Sequence, residues 1–92
     1  MKINFNYLNI KDNEVYLIGY KLKLSPTERI ILCAIAENKN ATIEELLPLL
    51  SNGVSRGNIA VHINSINKKA YNISGRKLIL FEDRKYVINP YM

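Results

Sequence analysis

Asn58-Ile59-Ala60-Val61-His62-Ile63-Asn64-Ser65-Ile66-Asn67-Lys68-Lys69-Ala70-Tyr71 is the stretch on which the reading of this chain turns. At about 100° per residue, Ile59, Ile63, Ile66 and Ala70 fall within one narrow sector and form a core face. Opposite them lie Val61, Asn64, Ser65, Lys68 and Asn72, with Asn58, His62 and Lys69 on one flank. This outer face is amide, hydroxyl and cation, with almost no acid. Such groups donate to phosphate oxygens and read base edges. The pattern predicts a helix from Asn58 to Tyr71 with one packed side and one side open to a partner.

Two helices are expected before it, each opened by a capping box. In Ser25-Pro26-Thr27-Glu28 the serine side chain serves an orphan N–H, Glu28 reaches back, and Pro26 sits where its missing N–H costs nothing. The run that follows, with Ile30, Ile31, Leu32, Ala34, Ile35 and Ala36, is apolar on most of its circumference and predicts the central buried helix. Cys33 within it reads as a small hydrophobe of the core. Thr42-Ile43-Glu44-Glu45 opens a short helix carrying Leu46, Leu47, Leu49 and Leu50. Pro48 removes a hydrogen bond there, so a bend or early stop is expected near Leu47, followed by turn chemistry at Ser51-Asn52-Gly53.

Strands flank the helices on both sides. Tyr7-Leu8-Asn9-Ile10, Val15-Tyr16-Leu17-Ile18 and Lys21-Leu22-Lys23-Leu24 read as a meander, with turns at Lys11-Asp12-Asn13 and Gly19-Tyr20. From Lys77 to Ile88 the chain reads as a hairpin with a charged tip, Glu82-Asp83-Arg84-Lys85. The expected fold is α+β, a winged helix-turn-helix with an N-terminal antiparallel meander of about three strands, three helices and a C-terminal hairpin wing. Ile31, Leu32, Ile35, Leu46, Ile59, Ile63, Ile66 and Ile79 are its expected core.

The chain has 92 residues, enough for one domain spanning 1–92 and too few for a second core. Its composition, 48% hydrophobic and 23% charged, is that of a folded soluble protein rather than a disordered one. The longest apolar run, Ile30 to Ala36, has seven residues, far short of the roughly 18 of a membrane span, so no membrane partner is expected. Met1-Lys2-Ile3-Asn4 carries no signal-peptide apolar region, and a cytoplasmic protein is expected. One cysteine and one histidine rule out a disulfide framework and a zinc site, and no cofactor is expected.

Charge is unevenly placed. Residues 1–54 hold six cations and six acids, whereas residues 55–92 hold Arg56, Lys68, Lys69, Arg76, Lys77, Arg84 and Lys85 against only Glu82 and Asp83. All of the net +5 therefore sits in the last 38 residues, which points to an anionic partner, most often nucleic acid. A solvated basic surface is the plain alternative.

These features together resemble the DNA-binding effector domain of OmpR/PhoB-type bacterial response regulators, over nearly the whole chain from Phe5 to Asn89. The family's L-T-x-x-E resembles Leu24-Ser25-Pro26-Thr27-Glu28, with Ser25 in the threonine place. Its V-x-V-H-I-x-x-L-R-x-K resembles the stretch from Ile59 to Lys69, the most specific of the matches, and its R-G-x-G-Y is similar in place to Glu82-Asp83-Arg84-Lys85-Tyr86. The resemblance implies a transcription regulator that binds double-stranded DNA, with 58–71 as recognition helix in the major groove and 77–88 as wing. It also implies that two copies sit on one operator as a homodimer on direct repeats, and that His62 donates to a DNA phosphate. No receiver domain lies within this chain, so a phosphorylation switch cannot act inside it. Its start at Met1 with a complete first strand favours a free-standing regulator over an excised domain.

Ser65 and Asn67 stand where the family usually has arginines, Glu82 stands at the wing arginine, and Asp83 and Lys85 replace wing glycines. Arginine is the residue best suited to bidentate guanine contacts and narrow minor grooves. The groove-facing set Val61, Asn64, Ser65 and Lys68 predicts an A·T-leaning site instead, since an amide can take adenine N6 and N7 and valine can pack on a thymine methyl. Arg56, Asn58, His62 and Lys69, with Arg84 and Lys85 of the hairpin, complete the expected DNA-binding set. For the lysine pair and the hairpin cations the ordinary reading is a solvated surface.

No enzyme is expected and no small-molecule substrate. His62 has no visible carboxylate partner for a triad, the four glycines match no phosphate-cradling loop, and Glu44-Glu45 reads as compensation of a helix dipole. The alternative to DNA binding is a winged-helix protein-interaction module, docking RNA polymerase or another regulator.

Overall fold

A computed structural model describes residues 2–4, 7–12, 14–50 and 56–90. Four antiparallel strands open the chain: β1 (Lys2–Asn4), β2 (Leu8–Lys11), β3 (Glu14–Leu17) and β4 (Tyr20–Lys21), in that spatial order. Alternation sets the register: Leu8 faces Leu17 and Ile10 faces Val15, all four buried, while Asn9, Lys11 and Glu14 stay in water. The meander therefore has one strand more than the sequence reading held, and its last strand is shorter. The turn into β4 is Ile18-Gly19 rather than Gly19-Tyr20, with φ of 52° and 80°. The paired residues are Tyr20 and Lys21, and just beyond them Leu22, its side chain buried, still donates its N–H to the Val15 carbonyl at 2.8 Å.

Helix α1 (Pro26–Asn38) begins with the expected capping box: the Glu28 N–H donates to Ser25 Oγ at 3.2 Å and the Ser25 N–H to Glu28 Oε1 at 2.8 Å. It buries Ile31, Leu32, Ile35 and Ala36, leaves Ile30 exposed and holds Cys33 half-buried against the core. One stripe, not most of the circumference, is packed. After Lys39, which takes a left-handed cap at φ 69°, Asn40–Ala41 forms β5, a strand the sequence reading did not contain. Two residues carry no periodicity to read.

The second capping box opens α2 (Ile43–Leu46), with Glu45 N–H to Thr42 Oγ1 at 3.1 Å and Thr42 N–H to Glu45 Oε1 at 2.9 Å. It stops at Leu46, where a turn of 3-10 helix (Leu47–Leu49) takes over around Pro48, as the missing N–H requires. The turn expected at Ser51-Asn52-Gly53, and Asn13 of the first expected turn, lie outside the described residues. Helix α3 (Arg56–Ser74) is longer than expected at both ends and ends at Gly75, whose φ of 73° makes it the helix stop.

The closing hairpin pairs β6 (Ile79–Glu82) with β7 (Lys85–Ile88), and β5 adds to the other edge of β7. The chain between α1 and α2 is thus stitched into the wing sheet through Asn40↔Val87 and Ala41↔Tyr86. The hairpin tip is two residues, Asp83-Arg84, both at positive φ (51° and 64°), and Glu82 faces Lys85 as the last rung. A four-residue tip had been expected.

All eight expected core residues are buried, and Leu8, Leu17, Leu22, Ala41, Ala70 and Leu78 join them in one cluster between the two sheets and α1, α2 and α3. Ile63 is 5% exposed on the face of α3 that meets this cluster. Ile63→Ala should cost roughly 2 to 5 kcal/mol from lost burial and the cavity left behind. That is a large share of a small domain's stability, and an unchanged thermal melt would refute the placement of this face.

Candidate nucleic-acid interface

Each side of α3 has its own task. Ile59, Ile63, Ile66 and Ala70 are buried in the core. On the outer side Val61 is 64% exposed, and Asn64, Lys68, Tyr71 and Asn72 also face water. Asn58 and Gly57 are exposed at the start of the helix, and His62 is half-buried on the flank. Arg56 opens α3, with its side chain outside the described part of the structure. Arg84 is exposed at the hairpin tip and Lys85 on the rung behind it.

Ser65 and Lys69, one turn apart, face α1. The Lys69 ammonium lies 2.6 Å from Glu28 Oε1, and the Ser65 hydroxyl bonds the same carboxylate. Glu28 itself is 3% exposed. Burial alone would raise its pKa, but the lysine ammonium, the serine hydroxyl and the Ser25 N–H outweigh that and hold it down at about 2. Of the four residues read as groove-facing, Val61, Asn64 and Lys68 share the outer surface, and Ser65 is turned toward the carboxylate. Lys69, read as a flank cation, is two-fifths exposed and stands in an ion pair. The sequence reading had assigned Glu28 only its capping role. The spacing of 65 and 69 on one line of α3 was the available signal, but nothing local says which acid lies across from it.

Asn67 is the second residue whose role came only with the fold. Read as a missing arginine, it is 9% exposed and anchors the wing. Its Oδ1 accepts from the Leu78 N–H at 3.0 Å and the Ile79 N–H at 2.7 Å, and its Nδ2 donates to the Ile79 carbonyl at 3.0 Å. Asn89 completes the joint from the other side, its N–H reaching the Leu78 carbonyl at 2.7 Å and its Nδ2 the Lys77 carbonyl at 2.8 Å. The root of β6 is therefore bound to α3 by the Asn67 amide acting as a strand partner, and to the end of β7 by Asn89.

A cleft runs between the outer side of α3 and the hairpin. Ala60, Asn64 and Asn67 form one wall, and Lys77, Leu80, Phe81 and Glu82 the other. Phe81 is 56% exposed and tilts against Tyr86, ring centroids 4.9 Å apart. Phe81 had no role in the sequence analysis beyond its place in the hairpin, where Ile79 alone was expected in the core. Among the described residues no cluster of His, Cys, Asp and Glu has metal-site spacing, and no helix is long and apolar enough to cross a membrane.

The two sheets, the three helices and the anchored hairpin make this a winged-helix fold of the OmpR/PhoB effector type. The chain is similar to the crystal structure of the Klebsiella pneumoniae RstA DNA-binding domain in complex with the RstA box, at a TM-score of 0.75 and 25% identity, with 98% of each chain covered. The likeness extends over the whole span in which the motifs of α1, α3 and the wing were read. No protein-family model and no curated protein matches the chain.

The Glu28 site gives acid stability a defined pH window. Its folded pKa of about 2 lies below the ordinary carboxylate value of about 4.3. The folded state therefore binds fewer protons than the unfolded state between those values. The stabilisation is complete above about pH 5 and is lost as pH falls toward 2. It amounts to on the order of 2 kcal/mol once the solvent access of Lys69 is allowed for. Melting temperatures measured from pH 7 to 2 should fall less steeply below pH 5 in Glu28→Gln than in the unaltered protein. Parallel curves would show that the carboxylate carries none of the acid sensitivity.

Proposed function

We propose that this domain is a sequence-specific DNA-binding transcription regulator, with α3 in the major groove and the β6–β7 hairpin as wing. The observation that supports this most is the exposed, acid-free row Val61, Asn64 and Lys68 on α3. It belongs to a fold similar to a domain crystallised on its DNA box. Double-stranded DNA is the partner, and by family resemblance two copies occupy one operator. Such a protein acts in the bacterial cytoplasm, where RNA polymerase is the natural further partner. No catalytic step is assigned to it.

Within the proposed interface Asn64 reads a base edge, Val61 packs on a thymine methyl, and Lys68 reaches a lone guanine or a phosphate. His62, Asn58, Arg56, Arg84 and Lys85 contact the backbone. Ser65 and Lys69 enter this scheme in a supporting place, since both bond Glu28 and set the pitch of α3 against α1. The exposed Phe81 with Glu82 and Asp83 beside it favours a second reading, a wing that docks another protein rather than a groove. DNA affinity separates the two readings.

Among the described residues, Lys68, Arg76, Lys77, Arg84 and Lys85 are the exposed cations of α3, its exit and the hairpin. If about five cations meet phosphates, log K should fall with log salt at a slope of about −4 to −5. Anisotropy of a labelled duplex over several salt concentrations measures this, and a flat response or no binding at low salt would favour the protein-docking reading. Asn64→Ala should lose about 1 to 3 kcal/mol on a preferred duplex and little on random DNA, whereas Arg84→Ala should weaken both alike. Identical behaviour of the two variants would refute the division between base reading and backbone contact.

A further inference from the structure

A duplex read by a helix in one groove and a hairpin in the next must pass one sugar–phosphate strand between them. In this fold the space between them is the cleft along the wing side of α3. Its continuation toward the end of the helix is lined by Asn64, Asn67, Lys68, Tyr71, Asn72 and Lys77, without a single acid. Lys77 borders both parts of the cleft, and Glu82 is the one carboxylate in either. Lys68 and Lys77 are both exposed, and among the described residues neither ammonium has a carboxylate partner; the ion pairs there are Lys21–Glu14 and Lys69–Glu28.

Lys77 is also held in place. Its carbonyl accepts from Asn89 Nδ2 at 2.8 Å, and the next residue, Leu78, is fully buried with its N–H on Asn67 Oδ1 at 3.0 Å. The backbone of the cation is fixed while its side chain remains free to point into the cleft. A charge on a fixed stem loses less freedom when it binds than one on a loose loop. Tyr71, 58% exposed, and Asn72 add a hydroxyl and an amide along the same rim. These groups match what phosphate oxygens accept from.

We propose that Lys77 and Lys68 grip one phosphodiester of the strand that crosses between α3 and the wing, with Tyr71 and Asn72 as flanking donors. The inference rests on the DNA-binding reading above and gives Lys77, until here only one of several cations near the interface, a defined phosphate and a partner in Lys68. The grip is indifferent to base identity, so it acts on preferred and random duplexes alike.

The test uses Lys77→Gln and a duplex selected from a random pool by the unaltered protein. The variant should melt as the unaltered protein does, because the exchanged group is exposed. Its salt slope should be shallower by about 0.9 on both the selected and a random duplex. In a series of selected duplexes each carrying one uncharged methylphosphonate linkage, the unaltered protein should lose affinity at the crossing phosphate. Lys77→Gln should be insensitive there and remain sensitive elsewhere. A variant with the full slope, or with undiminished sensitivity at every linkage, overturns the inference and leaves DNA binding standing. Failure of the unaltered protein to bind any duplex at low salt overturns the DNA-binding reading itself, and this inference with it.

Discussion

A carboxylate taken out of water has to be compensated on the spot, and the Glu28 carboxylate is compensated by groups from two helices at once. The Ser25 N–H comes from the start of α1, and the Lys69 ammonium and Ser65 hydroxyl come from α3. These donors converge on it from different elements, so α3 cannot slide along α1 or rotate about its own axis without stranding the charge. Apolar contact between Ile31, Ile35, Ile59, Ile63 and Ile66 gives the helix pair its cohesion but is tolerant of small shifts. The ion pair, with Glu28 buried and Lys69 two-fifths exposed, adds directional restraint. The orientation of the outer row Val61, Asn64 and Lys68 follows from it.

The wing depends on a second polar joint of the same kind. A two-turn-residue hairpin is marginal alone, and β6 has a neighbour on one side only. Asn67 and Asn89 supply the missing partners by bonding the main chain from 77 to 79, and β5 covers the far edge of β7. Helix and hairpin are therefore tied together, as the proposed DNA-binding surface requires. Asn67, on the border of the outer side of α3, is thereby committed to the architecture.

Charge follows the same division. The first 54 residues are balanced and build the meander, α1 and α2, while the excess sits on α3, its exit and the hairpin. Not all of that excess is free, because Lys69 is engaged with Glu28 and Lys85 faces Glu82 across the last rung. Of what remains exposed, Lys68 and Lys77 line one cleft, with Arg76 at the exit of α3 and Arg84 at the hairpin tip.

Local structure follows from near neighbours in the chain. Both capping boxes formed where Ser25 and Thr42 placed them, Pro48 ended α2 at Leu46, and the isoleucine sector of α3 faced the core. Each rests on interactions within about four residues, and these are written into spacing. The same is true of the resemblance in α1 and α3, which was carried by residues at fixed offsets. The pairing of β5 with β7, the shift of the meander turn to Ile18-Gly19, the partner of Lys69 and the task of Asn67 were decided by tertiary structure. Glu28 and Lys69 are 41 positions apart, and Asn67 and Ile79 are 12 apart. A polar side chain on the border between the core face and the open face of a helix points to solvent or to a neighbour with the same local pattern. Only the packing that brings the neighbour there chooses between them.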